Sequence, residues 1–201
     1  MMSDPLLKIN PQMNKRIHVV DNFFKDPYAV REYALQQEFF DDEGYIGNRT
    51  RKQFFIPGTR EAFEEIMGIK IQGWSAEDDL YRYGMNGRFQ YNVSGQPLVY
   101  HCDLQKWAAM IYLTPDAPFE AGTSFYAHKK SRIRHNSEEG IVDRCFNHGT
   151  FLDPTPFEPV DVVGNVFNRL VIFDGGLVHA ASCYFGTDKE NCRLWQMFFF
   201  D

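Results

Sequence analysis

The sequence predicts a mainly β domain, a sandwich or barrel, and three observations lead there. From about residue 80 onward, short aromatic and aliphatic runs alternate with turn residues. Aromatic residues make up 16% of the 201 residues, and 19 are Phe, a composition that favours pleated, half-buried surfaces. Helical spacing of apolar residues, by contrast, occurs only near the N-terminus. The length suits a single domain, residues 1–201, with an α/β support over about 17–79 and a β core over about 80–201.

Taken in order, residues 1–16 are polar and read as a lead-in, and Ile17 to Val20 as a short strand. Asp26-Pro27 then opens a helix through Leu35, with Asp as its cap and Pro in the first turn. A second short helix is expected over Glu61 to Met67. Strand-like runs follow at Leu80–Tyr83, Arg88–Val93, Leu98–His101, Trp107–Leu113, Ser124–Ala127, Leu170–Phe173 and Arg193–Phe200. Turn signals separate them, among them Ser94-Gly95, Thr114-Pro115-Asp116 and Asp174-Gly175-Gly176. Residues 128–168 are polar, weakly periodic and hold three prolines, so they read as an insertion between strands that forms a lid or binding loop.

The chemistry is concentrated at Tyr100-His101-Cys102-Asp103. On a strand, residues i and i+2 share a face, so His101 and Asp103 converge while Cys102 points away. His179 follows the run Leu170-Val171-Ile172-Phe173 and a Gly-Gly turn. Two imidazoles and one carboxylate make the facial set that non-haem iron(II) oxygenases use, which leaves positions for a keto acid and oxygen. The His-x-Asp match alone carries little weight, since this composition gives about half a match by chance. Placement adds weight, because the motif and the second histidine each follow a strand-like run. Arg193 opens the last strand, and alternation puts it on one face with Trp195, Met197 and Phe199. If that face is interior, it holds a cation that needs an anion, which the far carboxylate of 2-oxoglutarate would supply. The bland alternative is a solvated arginine at a strand end.

Composition narrows the alternatives. The net charge is −6 and the longest basic pair is Lys129-Lys130, which argues against a nucleic-acid partner. No apolar run is long enough to span a membrane, and Met1-Met2-Ser3-Asp4-Pro5 does not read as the start of a signal peptide. Cys102, Cys145, Cys183 and Cys192 form no Cys-x-x-Cys pair and read as reduced thiols of a cytoplasmic protein.

From about residue 80 to 200 the chain resembles the prolyl 4-hydroxylase-like branch of the 2-oxoglutarate/iron(II) oxygenases. The matches run in order: Tyr91, Gly95-Gln96, His101-x-Asp103, Ala109-Met110-Ile111-Tyr112-Leu113, Thr123-Ser124-Phe125, Leu170-Val171-Ile172-Phe173 before His179, and Arg193 with Trp195. The resemblance implies a double-stranded β-helix, the cupin-like jelly roll, with N-terminal supporting helices. It implies iron(II) held by His101, Asp103 and His179, 2-oxoglutarate held by Arg193 and Tyr91, and hydroxylation of a peptide side chain or small metabolite. The chain departs from the family at Glu120-Ala121, where the family has Gly-Gly, in a Tyr91-to-His101 spacing one residue longer than usual, and in the 128–168 insertion.

The remaining candidates are weighed on their chemistry. The run His128-Lys129-Lys130-Ser131-Arg132-Ile133-Arg134-His135 is either a solvated loop or a clamp for an anionic or peptide substrate. His128, His135 and His148 read as loop residues and His18 as structural. Asp174 caps the turn before His179 or supports a ligand histidine. Two rivals stay open: a jelly-roll metalloenzyme that uses no keto acid, and a non-catalytic binding jelly roll.

Overall fold

The structure is a computed structural model and describes residues 15–41, 44–141, 146 and 150–201. The strands are β1 (Ile17–Val20), β2 (Phe40–Asp41), β3 (Asn48–Arg49), β4 (Phe89–Asn92), β5 (Trp107–Tyr112), β6 (Thr123–His128), β7 (Phe157–Val163), β8 (Leu170–Asp174), β9 (His179–Ala181) and β10 (Arg193–Phe200). The helices are α1 (Pro27–Leu35), α2 (Thr59–Met67) and α3 (Leu80–Tyr83). Seven strands make one antiparallel sheet in the order β1-β8-β5-β10-β4-β3-β2, and three make the other in the order β7-β6-β9. The chain folds as a double-stranded β-helix, the jelly roll expected from the sequence. Strands β1, β2 and β3, all before residue 80, lie in the large sheet.

The large sheet is apolar on both faces. One face packs under α1 and α2, where Ala34, Phe63, Trp74, Phe89, Leu194, Phe198 and Phe200 form a cluster. The other packs against the small sheet through Tyr112, Phe125, Phe173, Leu177, Trp195 and Met197. Two-sided burial explains why β10 reads as an almost unbroken aromatic and aliphatic run. Each fully buried large side chain contributes about 1.5–3 kcal/mol relative to exposure. A third cluster, with Tyr100, Tyr126, Ile133, Phe157 and Val178, joins the small sheet to the insertion.

Local chemistry accounts for the helices. The Asp26 carboxylate accepts the Ala29 N–H at 3.0 Å, and Pro27 fills the first turn of α1. In α2, Phe63 is fully buried between Phe23, Trp74, Phe198 and Phe200.

Three expectations are corrected. Leu80–Tyr83 is a helical turn, not a strand. Asp79 caps it by accepting the Arg82 N–H at 3.0 Å, and the apolar Leu80 and Tyr81 stay exposed. Leu98–His101 is not a strand either: only His101 pairs, in an isolated bridge to His179. The 128–168 segment is not wholly a loop, because it contains β7. Pro159 and the charged Glu158 and Asp161 mask that strand in the sequence, but it lies at the sheet edge, where proline is tolerated.

Among the described residues no helix is long and apolar enough to cross a membrane. Cys102, Cys183 and Cys192 are in no disulfide among the described residues, and Cys145 lies outside them.

Candidate metal centre

His101, Asp103 and His179 come together, with one ligand atom from each lying within 4.8 Å of the others. Two backbone features assemble them. The bridge between residues 101 and 179 closes with His101 N–H to the His179 carbonyl at 3.0 Å and the reverse bond at 2.9 Å. The Asp103 N–H donates to the Gly175 carbonyl at 2.7 Å. Any side chain at 175 would run into the Gln105 carbonyl and the Asp103 side chain, so glycine allows this close approach. The motif therefore converges through a bridge and a turn contact, and not through strand alternation.

The imidazoles are oriented from behind. His101 Nδ1 lies 3.0 Å from the Val99 carbonyl and His179 Nδ1 lies 2.8 Å from the Leu177 carbonyl, so each Nδ1 carries the proton and donates. Each Nε2 then faces Asp103, at 3.5 Å for His101 and 3.4 Å for His179. Asp103 Oδ2 is buried and accepts no hydrogen bond among the described residues. A buried carboxylate oxygen left in that state is costly, and a cation between it and the two Nε2 atoms removes the cost. The site thus fits a divalent metal, and its donor set is that of the non-haem iron facial triad.

Asp103 and His179 are already in the states a metal requires, and His101 reaches its own when a metal displaces the proton it shares with Asp103. Burial, and then the adjacent His101, push His179 down to about 4, so it is neutral at physiological pH. Burial works against the Asp103 carboxylate, but His179 and the bond to His101 more than reverse it and hold Asp103 below its ordinary value. Burial also lowers His101, while its bond to Asp103 carries it above the ordinary imidazole value. Ionised carboxylate and neutral imidazole are what a metal requires.

Arg193 is 2% exposed on the inner face. Its Nε donates to the Ala121 carbonyl at 3.1 Å, and one terminal nitrogen reaches the Gly122 carbonyl and Thr123 Oγ1, both at 3.3 Å. The guanidinium stacks over Trp195 at 4.3 Å and Tyr112 at 5.3 Å, and the Tyr112 hydroxyl bonds Thr123 Oγ1 at 2.7 Å. Among the described residues no carboxylate lies within ion-pair distance of Arg193. On β6, Thr123 touches Arg193 while Phe125 stands opposite His179, so the two centres are one inner-face pair apart, about 7 Å along the strand.

Tyr91 does not join this group. It stands opposite Leu194, which belongs to the cluster under the helices, and its ring packs on Phe39 at 5.0 Å. Its neighbours Gln90 and Asn92 take the inner face instead, opposite Trp195 and Arg193. They form a buried polar ladder: Gln90 Nε2 donates to Asn92 Oδ1 at 2.8 Å, and Asn92 Nδ2 to Gln96 Oε1 at 2.8 Å. Sequence reasoning missed this ladder because Phe-Gln-Tyr-Asn alternates equally well in either register.

The other candidates resolve as structure. His18 meets the Trp107 ring edge-on, and His128 Nδ1 lies 2.8 Å from Ser131 Oγ. His148 lies outside the described residues. Two arginines of the basic run pair with β7, Arg132 with Glu158 and Arg134 with Asp161, while Lys129 donates to the Thr155 carbonyl at 2.8 Å. Asp174 accepts the Gly176 N–H at 3.1 Å, and its histidine partner is His135 at 2.9 Å, not a metal ligand.

The comparisons agree with this architecture. HygX from Streptomyces hygroscopicus, solved with nickel and 2-oxoglutarate, superposes with a TM-score of 0.55 at 14% identity, covering 92% of this chain and 82% of that one. A prolyl hydroxylase from Trichoplax adhaerens, solved with a hypoxia-inducible-factor peptide fragment, gives 0.51 at 11% identity over 92% and 83%. A Pseudomonas putida prolyl-4-hydroxylase gives 0.50 at 12% identity over 92% and 91%. No curated protein matches by sequence. At these identities the likeness is one of fold, and the fold is that of the 2-oxoglutarate/iron(II) oxygenases, prolyl hydroxylases among them. A family profile spans residues 6–199, and the chain belongs to that family, DUF6445, a family of unknown function.

Proposed function

We propose that the protein is an iron(II)- and 2-oxoglutarate-dependent oxygenase that hydroxylates a peptide side chain or small metabolite, with succinate and carbon dioxide as coproducts. The observation that carries this reading is the pairing of a histidine–aspartate–histidine cluster with a buried guanidinium on the same inner face. A metal site alone would suit any metal-dependent jelly roll. A buried arginine whose donors meet only neutral acceptors among the described residues calls for an anionic guest. A five-carbon diacid suits the spacing, with its keto-acid end at the metal and its far carboxylate at Arg193.

In this reading His101, Asp103 and His179 would hold iron(II), which with 2-oxoglutarate would activate dioxygen, one oxygen atom going to succinate and one to substrate. The protein's own residues do the rest. Arg193 binds the far carboxylate, with Tyr112 and Thr123 fixing the guanidinium and lining its pocket. Trp195, Phe125 and Phe173 keep water from the inner face.

The test is anaerobic loading with iron(II) and 2-oxoglutarate, then exposure to air with a library of peptides and small metabolites while succinate is measured. Stoichiometric binding of both, with succinate formation that one substrate class stimulates, is expected. A protein that binds iron but no 2-oxoglutarate is a keto-acid-independent metalloprotein, and one that binds neither is a binding jelly roll.

A further inference from the structure

Residues 133–136 of the insertion lie against the turn that carries the metal ligands. Residues 135 and 177 form an antiparallel bridge. The Val178 N–H donates to the Arg134 carbonyl and the Asn136 N–H to the Gly176 carbonyl, each at 2.8 Å. A Cβ at 176 would meet His135 Nε2 and Asn136 Oδ1, so glycine leaves room for these side chains over the turn. The same turn is gripped on its other side by Asp103, through the Gly175 carbonyl.

His135 completes the arrangement. Its Nδ1 accepts the Ser137 N–H at 3.1 Å, which puts the ring proton on Nε2. Nε2 donates to Asp174 Oδ1 at 2.9 Å, and the same oxygen accepts the Gly176 N–H at 3.1 Å. The Asp174 carbonyl accepts the Leu177 N–H at 3.0 Å, and the Leu177 carbonyl accepts His179 Nδ1 at 2.8 Å. Three hydrogen bonds, joined through the covalent frames of Asp174 and Leu177, therefore link His135 to the back of a ligand ring. A shift of the Leu177 carbonyl would turn that ring, since Nδ1 is anchored to it at 2.8 Å.

We propose that His135, acting through Asp174, is a positioning residue of the metal centre, and that residues 133–136 clamp the turn that aims His179 and Asp103. This rests on reading His101, Asp103 and His179 as a metal site. The insertion then divides in function: its first part belongs to the metal centre, independently of any substrate contact made further along.

Cobalt(II) titration of the full chain, followed by its visible d–d spectrum, tests the clamp without turnover. Replacing groups that orient a metal ligand typically weakens metal affinity by about 10–100-fold. His135→Leu is expected to fall in that range, with a changed d–d spectrum. His135→Gln, whose amide nitrogen sits close to the position of Nε2, should recover affinity to within about threefold of the parent and restore the spectrum. A folded His135→Leu protein with parental affinity and spectrum overturns the proposal. Should His135→Leu fail to fold, Asp174→Asn decides: it keeps the acceptor but loses the charge, so about threefold weaker cobalt binding is expected, and unchanged binding overturns the proposal. A different result, in which the parent takes up no cobalt or His179→Ala takes it up as the parent does, overturns the metal-site reading itself.

Discussion

The guanidinium of Arg193 lies 4.3 Å from the centre of the Trp195 ring, two residues further along the same inner face of β10. The ring holds the cation flat against the sheet, and its hydrogen-bonding partners there are neutral groups among the described residues. Arg193→Gln is therefore expected to weaken 2-oxoglutarate binding. Truncating one partner of a buried, hydrogen-bonded charge pair costs about 2–5 kcal/mol, or roughly 30-fold to several thousandfold in affinity. Iron affinity should stay at the parental value and Arg193→Lys should recover part of the loss. Without 2-oxoglutarate, Arg193→Gln should melt no lower than the parent, because an uncompensated buried cation is removed. Calorimetric titration under anaerobic conditions reads the affinities, and a glutamine variant with parental 2-oxoglutarate affinity removes the cosubstrate assignment.

The metal ligands make a separate prediction. Iron(II) and 2-oxoglutarate without oxygen should give a weak visible charge-transfer band, and His101→Ala, Asp103→Ala and His179→Ala should each abolish it. A variant that keeps both the band and full iron stoichiometry shows the triad to be misassigned.

Tyr91 and Tyr112 should behave oppositely. Tyr91 packs on Phe39 beneath the helices, so Tyr91→Phe should leave the 2-oxoglutarate dissociation constant unchanged. Tyr112→Phe removes the hydroxyl that holds Thr123 beside Arg193 and should weaken binding by about 0.5–1.5 kcal/mol. Side-by-side titrations decide this, and a loss confined to Tyr91→Phe would contradict the facing of β4.

The helix-side core should dominate stability. Phe63 is fully buried against Phe23, Trp74, Phe198 and Phe200. Phe63→Ala should cost about 3–5 kcal/mol in denaturant unfolding, since the rings around it cannot collapse into the space. A loss below about 1 kcal/mol would mean that α2 packs loosely on the sheet.

Acid sensitivity should trace in part to Asp201. Burial raises its carboxyl, but the bonds from Arg82 and from the Tyr83 hydroxyl, the latter at 2.6 Å, hold it below its ordinary 3.8. A carboxyl whose value is lower in the folded than in the unfolded chain stabilises the fold fully above the unfolded value. That contribution is lost as pH falls below 3.8 and through the folded value. Melting curves from pH 7 down to pH 3 should show Asp201→Asn less stable than the parent at neutral pH, with the gap narrowing at the acid end. Parallel curves would show that Asp201 does not titrate differently on folding.

Much of the architecture was legible in the sequence, because it rests on local chemistry. The span of β10 follows from its aromatic run, the start of α1 from Asp26-Pro27, and the β-rich core from short apolar runs between turns. The residue types at His101, Asp103, His179 and Arg193 also named a chemistry before their geometry was known. Tertiary structure decided which side of each strand is inside. A strand pattern such as Phe89-Gln90-Tyr91-Asn92 reads the same in both directions, and a slip of one residue exchanges its faces. Pairing with β10 turned Gln90 and Asn92 inward and Tyr91 outward. Pairing likewise made an edge strand of the polar, proline-bearing Phe157–Val163 and brought His135 onto the turn before His179. These contacts join residues tens of positions apart, and no local propensity encodes them.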